Sequence, residues 1–231
     1  MIKRAIADFS ARLLRAAISR VITDLEITSQ IKSAISSATL IDLKMEGARA
    51  CSSRNDVMRV VFDTIPSSGF VCELGVYRGQ SLNQLARHFS PEKVYGFDTF
   101  TGLPEFWRTG FPQGTFDVST EQLSFEKNCV LYKGLFDETL PVFLEDIEGP
   151  AKLIHIDCDL YSSAISALRI LAPRIQAGTI IVFDEYFNYP GWELHEHRAF
   201  LEFIEFTGLN YRYLVYNKTG QQVAAIVTND P

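Results

Sequence analysis

Residues 71–81 read VCELGVYRGQS, an apolar run with a glutamate near its end and then two glycines four apart, Gly75 and Gly79. A strand that runs into a glycine turn and a helix opens many parallel sheets, and ligands bind there, outside the carboxyl ends of the strands. Glycine in such a turn removes a Cβ that would collide with a ligand or with the helix, and it permits positive φ. A dinucleotide-binding loop, G-x-G-x-x-G, would also place glycine where this chain has Tyr77 and Gln80. The departure argues against a pyrophosphate.

Glu73 argues the same way. A carboxylate at the end of the first strand repels phosphates, whereas it accepts hydrogen bonds from a cationic amino-acid moiety. A sulfonium cofactor bearing an α-amino group fits that sign. Asp98 closes the next apolar run, VYGFD, about 25 residues after Glu73, where an acid takes both hydroxyls of a ribose.

Outward from this loop, short runs rich in Val, Ile, Phe and Tyr alternate with amphipathic segments. GFVCEL, KVYGFD, CVLYK, KLIHID and GTIIVFD are the strand candidates. Runs apolar on both faces and separated by helices indicate a parallel sheet covered on each side. YRYLVYN and QVAAIV, joined by a short turn containing Gly220, should pair as a terminal antiparallel hairpin. The expected architecture is α/β, a doubly wound Rossmann-like domain over residues 66–231, preceded by a helical segment over residues 1–65. In that segment SRNDVMRVVFDTI reads as a helix capped by Ser53 or Asn55.

The first 23 residues are amphipathic and mostly basic, with Ile2, Ile6, Phe9, Leu13 and Ala17 at helical spacing and Arg4, Asp8, Arg12 and Arg15 opposite. A docking or dimerisation helix, a membrane-surface helix and an organellar presequence all share this pattern, and docking, with a homo-oligomer as one form of it, is the reading preferred. The chain has 231 residues and a net charge of −6, which removes the easy electrostatic case for nucleic acid. No window approaches the roughly 20 apolar residues of a membrane span. Four scattered cysteines, Cys51, Cys72, Cys129 and Cys158, lack zinc spacing and read as thiols of a reducing cytoplasm.

Two further strands end in acids. IHIDCD gives Asp157 and Asp159, and IIVFDEY gives Asp184 and Glu185. Neighbouring parallel strands bring these ends together, and carboxylates that converge repel one another unless a cation lies between them. Oxygen ligands favour Mg²⁺, Mn²⁺ or Ca²⁺. Alternation lets both Asp157 and Asp159 face the site, with Asp157 ranked first because it directly follows the apolar run.

With these residues in place, the chain resembles the class I S-adenosylmethionine-dependent methyltransferases, and most of all the macrocin O-methyltransferase group, metal-dependent enzymes that methylate sugar hydroxyls. The matching stretches are ELGVYRGQS, FDTFTGLP, KGLFDETLP, IDCDLYSSAISAL and GTIIVFDEY, spread over about residues 70–205. The resemblance implies a seven-stranded sheet with an antiparallel last strand. It assigns Glu73, Gly75 and Gly79 to the methionine end of the cofactor and Asp98 to the ribose. Tyr77, Ser81, Thr99 and Asp157, inside the same stretches, join them as cofactor-binding residues. Asp157, Asp184 and Glu185 match the metal ligands, although Glu185 stands where close relatives often carry aspartate and Ala164 where the family pattern shows threonine.

Methyl transfer is an in-line displacement, so the acceptor oxygen must be aligned and lose its proton. A metal bound by two adjacent hydroxyls would serve both needs, which points to a sugar or other diol as acceptor. Asp157, Asp159 and His195 are the candidates for the base, with His197 nearby and His155 read as core. Tyr186, Tyr189 and Trp192 are candidates for the acceptor wall, and Phe136 for stacking on adenine. The rival expectations are a nicotinamide-dependent oxidoreductase and a non-catalytic binding module on the same fold.

Overall fold

The computed structural model describes residues 2–229. Two helices, α1 (Ile2–Thr23) and α2 (Leu25–Lys44), precede strand β1 (Arg49–Cys51) and helix α3 (Arg54–Thr64). Strands and helices then alternate through β2 (Phe70–Leu74), α4 (Gln80–Phe89), β3 (Val94–Asp98), β4 (Cys129–Lys133), α5 (Phe136–Asp146), β5 (Ala151–Ile156), α6 (Tyr161–Leu171), β6 (Ile180–Phe183) and α7 (Glu196–Thr207). The chain closes with the hairpin β7 (Asn210–Asn217) and β8 (Val223–Thr228).

All of these strands join one sheet in the order β1-β7-β8-β6-β5-β2-β3-β4. β8 runs antiparallel to both of its neighbours, and the other pairs are parallel. Every residue of β2, β5 and β6 is buried, because helices cover both faces. One apolar core lies on each side of the sheet. From β2 the chain winds outward through β3 and β4, then crosses back to β5 on the other side of β2. A crevice opens at such a reversal, beyond the carboxyl ends of the strands.

The expectation is seven strands, and eight are present among the described residues. The addition is β1, a three-residue edge strand parallel to β7. The sheet therefore reaches back across the expected boundary at residues 65 and 66, as does α3, whose Val57, Met58 and Val61 are buried. Ser53 caps α3 by accepting from the Asp56 amide at 3.1 Å, as the sequence indicated. α2 is tied to the loop after β6 by its serines, Ser37 Oγ accepting from the Asn188 amide and Ser36 Oγ from Trp192 Nε1. Of the expected α1 stripe, the side chains of Ile2, Ile6 and Ala17 lie outside the described residues, while Phe9 and Leu13 are exposed.

The glycine turn has the backbone that its sequence requires, with φ of +91° at Gly75 and +73° at Gly79. The close approaches come from the protein itself. A Cβ on Gly75 would stand 1.8 Å from the Asp157 carbonyl oxygen, and one on Gly79 would stand 2.4 Å from the Phe125 ring. Gly75 thus lets the loops after β2 and β5 cross in contact.

Candidate active site

The loops that follow β2, β3, β4, β5 and β6 surround a cavity of about 580 Å³, the size of a small-molecule site. Gly75, Tyr77, Ser81, Asp98, Thr99 and Asp157 all line it, as does Phe136. Asp98 organises the rim. Its Oδ2 accepts from the amides of Val76 and Tyr77, each at 2.7 Å, and its Oδ1 accepts from the Phe100 amide at 2.7 Å. A carboxylate offers about four lone-pair sites, so acceptor capacity remains on the cavity side. Tyr77 follows with φ of +49° and stacks edge-on against Phe116.

Across the cavity, Asp157, Asp159, Asp184 and Glu185 line the wall. One oxygen from each of Asp157, Asp184 and Glu185 falls within 4.8 Å of the others. Asp159, in the loop after β5, holds φ of +64°. Glu196, the first residue of α7, is wholly buried beneath both acid-bearing loops. Its Oε1 accepts from the amides of Cys158 and Asp159, at 3.4 and 3.2 Å, and its Oε2 from the amide of Glu185 at 3.3 Å. One side chain therefore sets the spacing of the two loops.

Arg54 and His155 face this cluster, and Arg108, which also lines the cavity, acts on Asp159. Arg54 reaches in from α3, its Nη2 3.0 Å from Asp157 Oδ2 and its Nε 2.7 Å from Asp184 Oδ1. His155 lies buried in β5 with Nδ1 2.7 Å from Glu73 Oε1 and Nε2 3.9 Å from Asp184 Oδ1. Burial opposes its charged form, yet Asp184 and Glu73 outweigh burial and raise the imidazole to about 10. Burial likewise works to raise Asp184, but His155 and Arg54 prevail and hold it below the usual carboxylate range.

The other carboxyls are pushed upward. Burial, then the charge of Asp184, raises Asp157 to about 7; burial, then Asp157, raises Asp159 to about 8. Burial and Asp157 lift Glu185 well above its usual value, and burial and Asp159 do the same to Glu196. More carboxyl groups converge here than Arg54, His155 and Arg108 can pair. Glu185 Oε2 is also buried without a hydrogen-bond partner. An all-oxygen donor set with surplus negative charge and an unsatisfied oxygen fits a hard divalent cation.

Several expected residues stand elsewhere. Glu73 is wholly buried and absent from the cavity lining, because its carboxylate turns to His155; its cation is a histidine of the next strand. Gly79 also lies off the lining, and it serves the packing of Phe125. His195 does not reach the cavity. Its ring packs behind the wall against Trp107 and Tyr189, with centroids 6.3 and 6.1 Å away. Burial, then Arg108, lowers its pKa.

Tyr186, Tyr189 and Trp192 are buried in the core and do not line the cavity. The aromatic wall comes instead from Trp107, Phe111 and Phe116, in the long connection between β3 and β4. Arg108 lies over the Trp107, Phe111 and Tyr189 rings, at 3.9, 4.9 and 4.5 Å. His155 is buried in β5, as its reading as core implies, while Arg54, Arg108 and Glu196 are site residues unassigned in the sequence reading.

Residues 72–186 match the family model described as "Methyltransferase domain". Among curated proteins, the chain is similar to the 8-demethyl-8-(2,3-dimethoxy-alpha-L-rhamnosyl)-tetracenomycin-C 4'-O-methyltransferase of Streptomyces olivaceus, with 29% identity over 172 residues, 64% of this chain and 62% of that one. It is also similar to the demethyldecarbamoylnovobiocin O-methyltransferase of Streptomyces niveus, with 25% identity over 187 residues, 70% of this chain and 68% of the other. Among solved structures, the calicheamicin methyltransferase superposes with a TM-score of 0.59 at 26% identity, over 76% of this chain and 77% of that one. The match leaves the oxidoreductase alternative without support. The sheet order, the cavity at its reversal and these similarities agree that residues 72–186 form a methyltransferase domain of the class I fold.

Proposed function

We propose that the chain is an S-adenosylmethionine-dependent O-methyltransferase whose acceptor is a small molecule with adjacent hydroxyls, a sugar or similar diol, and that a divalent cation assists it. The observation that carries this reading is the single cavity that joins the Gly75–Tyr77 turn and Asp98 to the Asp157, Asp184 and Glu185 carboxylates. The relatives are named as O-methyltransferases of glycosylated or related natural products, which supports the acceptor class.

In this reading Asp98 and Thr99 hold the nucleoside end of the cofactor, and the turn from Gly75 to Ser81 holds its amino-acid end. S-adenosylmethionine supplies an electrophilic methyl on a sulfonium. Asp157, Asp184 and Glu185 hold the cation, Mg²⁺ or a relative, which supplies Lewis acidity toward the acceptor hydroxyl. In the same reading Asp157 or Asp159 takes the hydroxyl proton, and the lining of the cavity by both supports it. Trp107, Phe111 and Phe116 exclude water from the acceptor and orient it.

The experiment is methyl transfer from labelled S-adenosylmethionine to a panel of diol acceptors, with Mg²⁺ and with chelator. Transfer that depends on the ion is expected for at least one diol. Transfer indifferent to chelator would remove the metal from the mechanism and leave the cofactor assignment standing. We further infer that the first two helices, α1 and α2, serve docking or homo-oligomerisation and that the chain, with its cysteines free, works in the cytoplasm.

A further inference from the structure

Arg54 precedes the segment matched by the family model, yet it occupies the centre of the acidic cluster. It is the first residue of α3, and the Ser53 cap fixes where that helix begins. Its guanidinium spans two carboxylates, through Nη2 to Asp157 and Nε to Asp184 at 3.0 and 2.7 Å. These are two of the three side chains that the proposed function assigns to the divalent cation. The guanidinium hydrogen-bonds Asp157, whereas its contact with Asp184 is one of charge, since Asp184 Oδ1 has no hydrogen-bond partner. It thereby engages two of the three carboxylates that would hold the cation.

The arginine is nevertheless the more exposed member of its pair with Asp184. Its side chain is 38% exposed, whereas Asp184 is 11% exposed, and Arg54 lines the cavity into which it would retreat. Glu185, the third side chain of the set, has no ion pair with it, and Glu185 Oε2 has no hydrogen-bond partner. One guanidinium thus bridges two of the carboxylates and leaves Asp184 Oδ1 and Glu185 Oε2 without hydrogen-bond partners.

We propose that Arg54 is a tethered counter-cation: it holds Asp157 and Asp184 together in the ion-free enzyme and competes with the divalent cation for them, withdrawing into the cavity when the ion binds. This inference rests on the metal-assisted reading. Two ligands that exclude each other at one pair of carboxylates are linked, so removing one must strengthen the other by the same factor that measures their competition.

The test is a calorimetric titration of the wild-type chain and Arg54→Met with Mn²⁺. The variant should bind the ion at least roughly tenfold more tightly, within the usual range of coupling between linked ligands. Its ion-free form should melt lower and gain more from the ion than wild type does. Equal or weaker affinity in Arg54→Met overturns the role of Arg54 and leaves the metal reading intact, whereas no binding by either chain overturns both.

A second measurement needs no stable methionine variant. The Nε–H resonance of Arg54 in the wild-type chain, assigned by its disappearance in Arg54→Lys, should shift when Mg²⁺ saturates the site. A resonance unmoved at saturation overturns the proposal.

Discussion

His155 Nδ1 and Glu73 Oε1 lie 2.7 Å apart between β5 and β2, and both side chains are almost completely shut off from solvent. The glutamate that the sequence assigned to a cofactor therefore neutralises a histidine, and the charge of that histidine also faces Asp184 at 3.9 Å. Breaking a buried pair by removing one partner costs about 3–5 kcal/mol, because the other charge is left uncompensated. Glu73→Leu should lose stability of that order in urea unfolding. Glu73→Leu combined with His155→Leu should recover part of the loss. A Glu73→Leu variant as stable as wild type would contradict the pairing.

Gly75 and Gly191 make a controlled comparison. Both have positive φ, +91° and +85°, so alanine at either pays the left-handed backbone cost of about 1–2 kcal/mol. A Cβ on Gly191 meets nothing within 4 Å, whereas one on Gly75 would stand 1.8 Å from the Asp157 carbonyl oxygen. Gly191→Ala should fold and lose about 1 kcal/mol. Gly75→Ala should force the β2 and β5 loops apart and lose both stability and cofactor binding, as thermal melts with and without S-adenosylhomocysteine would record.

His197 should make the fold acid-sensitive. It is buried against Tyr186 and Trp192, with ring centroids 5.0 and 4.7 Å away, and neither ring nitrogen has a hydrogen-bond partner. Burial lowers its pKa to about 4. In the unfolded chain the imidazole titrates near 6.5, so between these values the unfolded state binds more protons. His197 therefore imposes no penalty above about pH 6.5, and stability falls as the pH drops toward about 4, by at most roughly 3 kcal/mol. His197→Phe should flatten that part of the profile when urea midpoints are compared at neutral and acidic pH. An unchanged slope would place the acid sensitivity elsewhere.

The central strands were legible in the sequence because burial on both faces leaves uninterrupted apolar runs, as in β2, β5 and β6. β1 was not, since Arg49 and Ala50 are exposed and only Cys51 of its three residues is buried. The acids at the strand ends were legible by position, and the structure brings Asp157, Asp159, Asp184 and Glu185 to one wall. Their partners were harder to see. Arg54 opens the buried stripe of α3, ahead of Val57, Met58 and Val61, and Glu196 opens that of α7, ahead of Ala199, Phe200 and Phe203. A charged residue at the head of an apolar helical stripe, spaced i, i+3, i+4 and i+7, is a signal that both share. The turn of Glu73 toward His155 depends on cross-strand register, Glu73 opposite His155, which short apolar runs do not fix.

The measurement that bears most directly on the account is calorimetric binding of S-adenosylhomocysteine, with NADH as control, to wild type and to Asp98→Ala. The substitution removes the carboxylate that the Val76, Tyr77 and Phe100 amides share, together with the group assigned to the ribose. The account predicts saturable binding of S-adenosylhomocysteine with one site per chain, no heat from NADH, and affinity at least roughly tenfold weaker in the variant, the loss of one charged hydrogen-bond acceptor. A wild-type chain that binds NADH and not S-adenosylhomocysteine would contradict it.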